Sequence, residues 1–275
     1  MTQLTSLARD NDSHSQTVTH LSVCSGYDGL GLGLARVFGA ISPVFHVEIE
    51  AFAVANLVAK METNQMAPAP IWTDLKTFPF QEFRNKVDIL SAGYPCQPFA
   101  NCGKRKGTAD PRHLWPYLAK GIQLCKPTAV FLENVEGHIT LGLSEVLEDL
   151  EELGYKSAWG IFSASEVGYG HQRKRVFILA HTNRQGLERR DSKVLREHTK
   201  QLPAGKRGSQ VYVALPHEEQ HGWEASRVLP SQRGVGRATD GTSQRVDRIR
   251  LLGNGVVPAQ AEKAFRTLAS ELWEG

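Results

Sequence analysis

Val87-Asp88-Ile89-Leu90-Ser91-Ala92-Gly93, followed by Tyr94-Pro95-Cys96-Gln97, is the stretch on which the fold turns. Its first seven residues are short, apolar and stopped by Gly and Pro, the pattern of a buried strand. A cysteine just past such a strand stands at the mouth of an α/β sheet, where ligands bind. Cys96 is there a candidate nucleophile, because a thiolate attacks electrophiles better than any other side chain near neutral pH. The alternative is a small buried residue that closes the strand.

Two further runs bear on the same edge. Thr128-Ala129-Val130-Phe131-Leu132 reads as a strand and ends in Glu133-Asn134-Val135. A carboxyl buried there beside a thiol keeps its proton, because desolvation raises its pKa, and can act as an acid. A solvated loop charge or a helix N-terminal residue is the alternative. Val176-Phe177-Ile178-Leu179-Ala180 reads as another strand, preceded by Gln172-Arg173-Lys174-Arg175. Alternating arginines point to one side of an extended segment, so Arg173 and Arg175 face one anionic or polar ligand or form a solvated basic stretch.

Working outward, Val18 to Cys24 reads as a first strand and Leu30 to Phe38 as a helix with Leu30, Leu34, Val37 and Phe38 on one face. Gly31 and Gly33 permit that helix to pack closely against a sheet. Val44 to Glu50 is a second strand ending in acids, and Ala51 to Met61 is helical by composition. Strands and helices alternate through Ala180, which predicts an α/β fold: a doubly wound, mainly parallel sheet with helices on both faces. Pro258 to Trp273 reads as a closing helix. A strand, a Gly loop, a helix and an acid after the next strand is the plan of an adenosyl-cofactor site, with Glu48 or Glu50 taking the ribose hydroxyls. Gly29-Leu30-Gly31-Leu32-Gly33 lacks the third Gly of a dinucleotide fingerprint, since position 34 is Leu34, so a nucleoside without pyrophosphate fits as well.

The 275 residues suffice for one large core or two modest domains. No apolar stretch approaches the roughly 20 residues that span a bilayer, and the polar lead-in, residues 1–17, lacks a signal-peptide core. The cysteines Cys24, Cys96, Cys102 and Cys125 form no CxxC pair and no metal-ligand spacing, which fits a reducing, cytoplasmic setting. The net charge is only +3, but residues 181–250 hold 14 Lys and Arg against 8 Asp and Glu. That irregular segment, 182–245, suits a polyanion or is a hydrophilic surface insertion.

Seven segments in order give the chain a family resemblance. SVCSGYDGLGLGL, HVEIE and WTDLKT resemble the three cofactor motifs of the DNA cytosine-5 methyltransferases. SAGYPCQPFANCGKRKG resembles the catalytic motif and its following loop; FLENVEG, HQRKRVFIL and LLGNGVVP resemble the ENV, QxRxR and GN motifs. The RVDRIRLLGNGVVP ending is similar to phage-type members. The resemblance implies a Rossmann-like, S-adenosylmethionine-dependent catalytic domain over residues 18–181 and 246–275, with 182–245 as a small target-recognition region.

It also implies roles. Cys96 adds to carbon 6 of cytosine, Glu133 holds a proton at ring nitrogen 3 and the exocyclic amine, and Arg173 and Arg175 stabilise the Glu133 side and the base carbonyl. The methyl donor is S-adenosyl-L-methionine, with S-adenosyl-L-homocysteine as product. Cys24, Ser25, Gly26 and Gly29 form its first loop, Glu48 takes the ribose and Ile49 the adenine face. Asp74 takes the adenine amine with Leu75 beside it, and Pro95, Leu114, Asn254 and Val256 complete the pocket. The partner implied is double-stranded DNA, contacted by Gln97, by Lys104, Arg105 and Lys106, and by Arg233 and Arg237; a cognate restriction endonuclease is a further partner of such enzymes. The target base must leave the helix. Three positions depart from the family: Cys24 stands for Phe, Asp28 for the first of two Gly, and His171 for the Gln of QxRxR. A tRNA cytosine-5 methyltransferase and a catalytically decayed DNA-binding relative are the competing readings.

Overall fold

The computed structural model describes residues 17–95, 114–182 and 255–274. Seven strands form one sheet: β1 (Val18–Val23), β2 (Ile41–Val47), β3 (Ile71–Trp72), β4 (Ile89–Gly93), β5 (Ala129–Val135), β6 (Tyr155–Phe162) and β7 (Arg175–Thr182). Their spatial order is β3-β2-β1-β4-β5-β7-β6. All are parallel except β7, which runs antiparallel to both β5 and β6. The helices are α1 (Gly29–Phe38), α2 (Ala51–Glu62), α3 (Trp115–Cys125), the single turn α4 (His138–Leu141), α5 (Leu143–Glu152) and α6 (Pro258–Glu274). No helix among the described residues is long and apolar enough to cross a membrane.

Alternation along each strand divides the core into two layers. Leu90 and Ala92, Val130 and Leu132, and Val176 and Ile178 face one side, where Leu118 and Ile122 of α3 and Val146 and Leu150 of α5 cover them. Ile89, Phe131, Phe177 and Leu179 face the other, under Leu30 and Leu34 of α1 and Ala261, Phe265 and Leu268 of α6. Phe131, Phe177 and Phe265 are fully buried. Phe131 meets Phe265 edge-on at 5.3 Å and stacks on Phe177 at 5.7 Å. Each such ring contributes about 2–3 kcal/mol of burial. Asp88, the polar residue of the decisive stretch, locks β4 beside β1: its Oδ2 accepts the Thr19 N–H at 2.7 Å and the Thr19 hydroxyl at 2.8 Å.

The strand order reverses between β1 and β4, so the carboxyl ends of these two strands flank the crevice where doubly wound sheets bind ligands. The structure differs from the sequence reading in three ways. The alternation of strand and helix stops at β6, because β6 returns directly into β7 through a short turn containing the 3-10 segment Ser165–Val167. β5 runs on through Glu133 and Val135, because the reversed β7 supplies partners for these residues, with Glu133 opposite Phe177. The tightest approaches at Gly31 and Gly33 of α1 are not to the sheet. A Cβ on Gly33 would lie 2.7 Å from the Ala261 Cβ of α6, and one on Gly31 would collide with the Asp28 carboxylate.

Candidate active site

The reversal of β7 builds the site. A parallel strand would start at the opposite edge; the antiparallel one begins where β4 and β5 end, and so delivers its first residue, Arg175, to Glu133. Arg175 Nε lies 3.0 Å from Glu133 Oε1. Glu133 is 6% exposed. Burial lifts its carboxyl to about 7, although Arg175 and then Arg173 pull the other way. A carboxyl so poised holds its proton near neutral pH and can lend it to a ligand. Gly93, opposite Glu133 in the β4–β5 ladder, keeps room there: a Cβ on it would sit 3.4 Å from Glu133 Oε2.

Arg173 departs from the expected alternation. Its φ of +36° breaks the extended run, so it and Arg175 do not share one face of a strand. Arg173 instead donates through Nη2 to the carbonyl of Gly255, while its charge still acts on Glu133. The backbone of this turn is fixed by Gln260, whose Nε2 donates to Phe162 O at 2.7 Å and Arg173 O at 2.9 Å. His171, in the place of the expected Gln, is exposed and stacks on Tyr169, with centroids 5.8 Å apart.

The cofactor candidates converge at the carboxyl ends of β1, β2 and β3. Cys24 leaves β1 with φ +50° and Gly26 follows with φ +55°. Between them, Ser25 donates its N–H to Val47 O at 3.2 Å and ties the loop to β2. Of the two acids, Glu48 is the one seen bonded to the Gly26 loop. Its Oε2 accepts the Gly26 N–H at 2.7 Å and its Oε1 the Glu50 N–H at 2.8 Å, while Glu50 itself is exposed. Each carboxylate oxygen has two lone pairs, so both retain capacity for ligand hydroxyls. Ile49 is 71% exposed, an apolar side chain left uncovered at the rim. Asp74 caps the 3-10 turn Leu75–Thr77 through the Lys76 N–H at 2.9 Å, and Leu75 is buried behind it. Among the described residues, apart from its chain neighbours, nothing lies within 4 Å of the place a Gly26 Cβ would occupy. An open left-handed loop, a carboxylate and a bare aliphatic side chain fit a ribose and an adenine. Cys24 stays a thiol, since burial and then the Glu48 charge push it up to about 12.

The chain returns to this loop at Val256. Its carbonyl accepts the Tyr27 hydroxyl and lies so near Gly29 that a Cβ there would collide with it. Pro95 is exposed just past β4, and Leu114 is half-buried at the start of α3. Cys96, Gln97, Lys104, Arg105, Lys106, Arg233, Arg237 and Asn254 lie outside the described residues, as does nearly all of 182–245. Sequence reasoning gave no role to Tyr27, Asn134 or Gln260. Asn134 carried a signal in its place beside Glu133, and its Nδ2 donates to Tyr94 O at 3.2 Å; Gln260, inside an amphipathic helix, carried none.

The chain is similar to known proteins in sequence and in fold. The chain is 31% identical over 169 residues to the Type II methyltransferase M.NgoMIV of Neisseria gonorrhoeae, covering 60% of this chain and 52% of that protein. It is 28% identical over 196 residues to the Type II methyltransferase M.MspI of Moraxella sp., covering 66% of this chain and 43% of that one. The chain thus spans about half the length of such relatives. Its fold resembles the crystal structure of a Spodoptera frugiperda DNMT2 mutant, with a TM-score of 0.51 and 22% identity over 63% of this chain and 53% of that one. A sequence model of C-5 cytosine-specific DNA methylases matches residues 18–229, well over half of the chain. The chain belongs to the C-5 cytosine-specific DNA methylase family.

Proposed function

We propose that this protein is a DNA cytosine-5 methyltransferase that uses S-adenosylmethionine and works through a covalent Cys96 adduct on a flipped-out cytosine. The observation that carries the reading is Glu133: a buried carboxyl lifted to about 7, paired with Arg175, on the strand next to the one that leads into Pro95-Cys96-Gln97.

Carbon 5 of cytosine is too weak a nucleophile to take a methyl group unaided. Cys96 as thiolate forms a bond from Sγ to carbon 6, and Glu133 gives its proton to ring nitrogen 3, so the ring becomes an enamine without accumulating charge. Arg175 holds the resulting Glu133 carboxylate, and Arg173 adds a second positive charge near it. S-adenosylmethionine supplies a methyl group on a sulfonium, which passes to carbon 5 and leaves S-adenosylhomocysteine. Solvent water takes the carbon 5 proton, the electrons of that bond restore the carbon 5–carbon 6 double bond as Cys96 leaves as thiolate, and nitrogen 3 returns its proton to Glu133. Glu48 would hold the ribose, Ile49 and Leu75 would flank the adenine, and Asp74 would take its amine. Cys24, Ser25, Gly26 and Gly29 would cradle the amino-acid end, with Pro95, Leu114, Asn254 and Val256 closing the pocket.

Duplex DNA is the substrate in this reading. Residues 182–245, including Arg233 and Arg237, supply phosphate and base contacts together with Gln97, Lys104, Arg105 and Lys106. The reaction runs in the cytoplasm. The test is transfer of tritiated methyl from S-adenosylmethionine to duplex DNA of mixed sequence and, in parallel, to tRNA. Label should enter DNA as 5-methylcytosine and vanish with Cys96→Ala. Label in tRNA alone, or in neither acid, would contradict the proposal.

A further inference from the structure

Tyr94, the residue between β4 and Pro95, is gripped at three points. Its carbonyl accepts the Asn134 Nδ2–H at 3.2 Å, and its hydroxyl lies 3.0 Å from His138 Nε2. Its ring packs on Trp115, centroids 5.5 Å apart, at the first turn of α3. Two of the grips are themselves braced. The Trp115 indole N–H donates to Asp149 Oδ2 at 2.6 Å, and Asn134 Oδ1 accepts the Val135 N–H at 2.9 Å. Tyr94 and His138 are 5% and 3% exposed. Burial lowers His138 to about 4, so the imidazole is neutral at physiological pH and pairs with the phenol as a neutral hydrogen-bond partner.

Packing alone does not call for this arrangement. Tyr94 and Trp115 belong to the apolar layer that includes Leu90, Leu118 and Leu143, where a phenyl ring would fill the same space. Bringing a hydroxyl and an imidazole into such a layer costs desolvation, and their mutual bond helps to offset it. What the pair adds is direction: it fixes the Tyr94 ring, while Asn134 fixes the Tyr94 carbonyl. Pro95 follows in the sequence, and its ring fixes φ, which leaves ψ as the one soft backbone dihedral of that residue.

We propose that Tyr94, His138 and Asn134 form a positioning clamp that sets the direction in which the chain leaves β4, and thereby the placement of the Cys96 thiol against the substrate ring. This rests on the reading of Cys96 as the nucleophile. The clamp residues touch no reacting atom; they act through the chain geometry.

The test compares the wild-type chain with Tyr94→Phe, His138→Phe and the double variant. Tyr94→Phe removes one oxygen and keeps the ring, so the fold persists. Four quantities are read: kcat and KM for methylation of duplex DNA, the rate of covalent trapping on a duplex carrying 5-fluorocytosine, the dissociation constant of S-adenosylhomocysteine by calorimetry, and the thermal midpoint. A thiol displaced by a fraction of an ångström to about 1 Å loses roughly 10- to 100-fold in rate. Both single variants should lose that much in kcat and trapping rate, the double variant should lose no more than the worse single one, and KM and product binding should stay within about twofold. Wild-type kcat in Tyr94→Phe would overturn the clamp, as would losses that multiply in the double variant. If the wild-type chain methylates no nucleic acid and is trapped by none, the reading of Cys96 fails, and the clamp with it.

Discussion

Replacing Glu133 by Gln should make the protein more stable at alkaline pH while abolishing its chemistry. The carboxyl ordinarily ionises near 4.5, but burial in the sheet edge lifts it to about 7. Between those values the folded chain binds more protons than the unfolded chain, so Glu133 favours folding most below pH 4.5 and loses that advantage as pH rises to 7. Each pH unit of that window is worth about 1.4 kcal/mol, which gives roughly 3 kcal/mol in all. Above pH 7 the loss is complete, and the fold carries a buried carboxylate that Arg175 and Arg173 only partly compensate. The amide of the Glu133→Gln variant would keep the shape and drop the titration. Urea denaturation of both proteins from about pH 4.5 to about pH 8 isolates the effect, because the histidine titrations occur in both and cancel in the difference. The stability of Glu133→Gln minus that of wild type should rise by about 3 kcal/mol across the window. Methyl transfer should fall by at least about 100-fold, the size of a lost general acid. A stability difference that stays flat with pH would refute the assignment of a raised Glu133 pKa.

Further outcomes follow from other parts of the molecule. Glu48→Ala frees the N–H groups of Gly26 and Glu50, each held by a charge-assisted bond worth about 1.5–3 kcal/mol, and calorimetry should show S-adenosylmethionine binding weakened at least tenfold. Gly29→Ala drives a Cβ into the Val256 carbonyl, so the thermal midpoint should fall by an amount equivalent to about 1–3 kcal/mol, whereas Gly26→Ala, which meets open space, should cost only about 1–2 kcal/mol for its left-handed backbone. His20, fully buried and 2.7 Å from Ser91 Oγ, is held near 4 by burial; its contribution to stability is complete above about pH 6.5 and disappears as pH falls toward 4, and His20→Gln should flatten that limb of the urea profile. Cys24, pushed up to about 12, should resist iodoacetamide at about pH 8 in the folded protein and react once it is unfolded, as peptide mapping would report.

The sheet was legible because its central strands are short apolar runs bounded by Gly and Pro, and β1, β4, β5 and α1 stand within a few residues of their sequence-read limits. What escaped was chain direction. Periodicity says nothing about whether β7 runs up or down, and β6, with Lys156, Ser157 and Gly160, has no clean alternation to announce it. That direction decides the site, since only a reversed β7 brings Arg175 to Glu133. Arg173 misled for a related reason: its residue type suits a strand, but its backbone sits in a left-handed turn whose carbonyl is held by Gln260 and its side chain reaches the Gly255 carbonyl, both over 80 residues away. That Glu48 reaches back to the Gly26 N–H was likewise not legible from the sequence. Asp28 was legible only as a departure from the family. Folded, it adopts φ +63°, accepts the Ser22 hydroxyl at 2.8 Å and fills the space that Gly31 leaves.

The covalent step can be tested on a single duplex. When fluorine replaces hydrogen at carbon 5 of the target cytosine, the methylated adduct has no carbon 5 proton to lose, so Cys96 cannot be expelled and stays bonded. With this duplex and S-adenosylmethionine, the chain should shift to a denaturant-resistant complex whose cross-linked peptide carries the base on Cys96, and Glu133→Gln should form it far more slowly. A cross-link at Cys24, Cys102 or Cys125, or methyl transfer to normal DNA with no trapping on the fluorinated duplex, would contradict the mechanism.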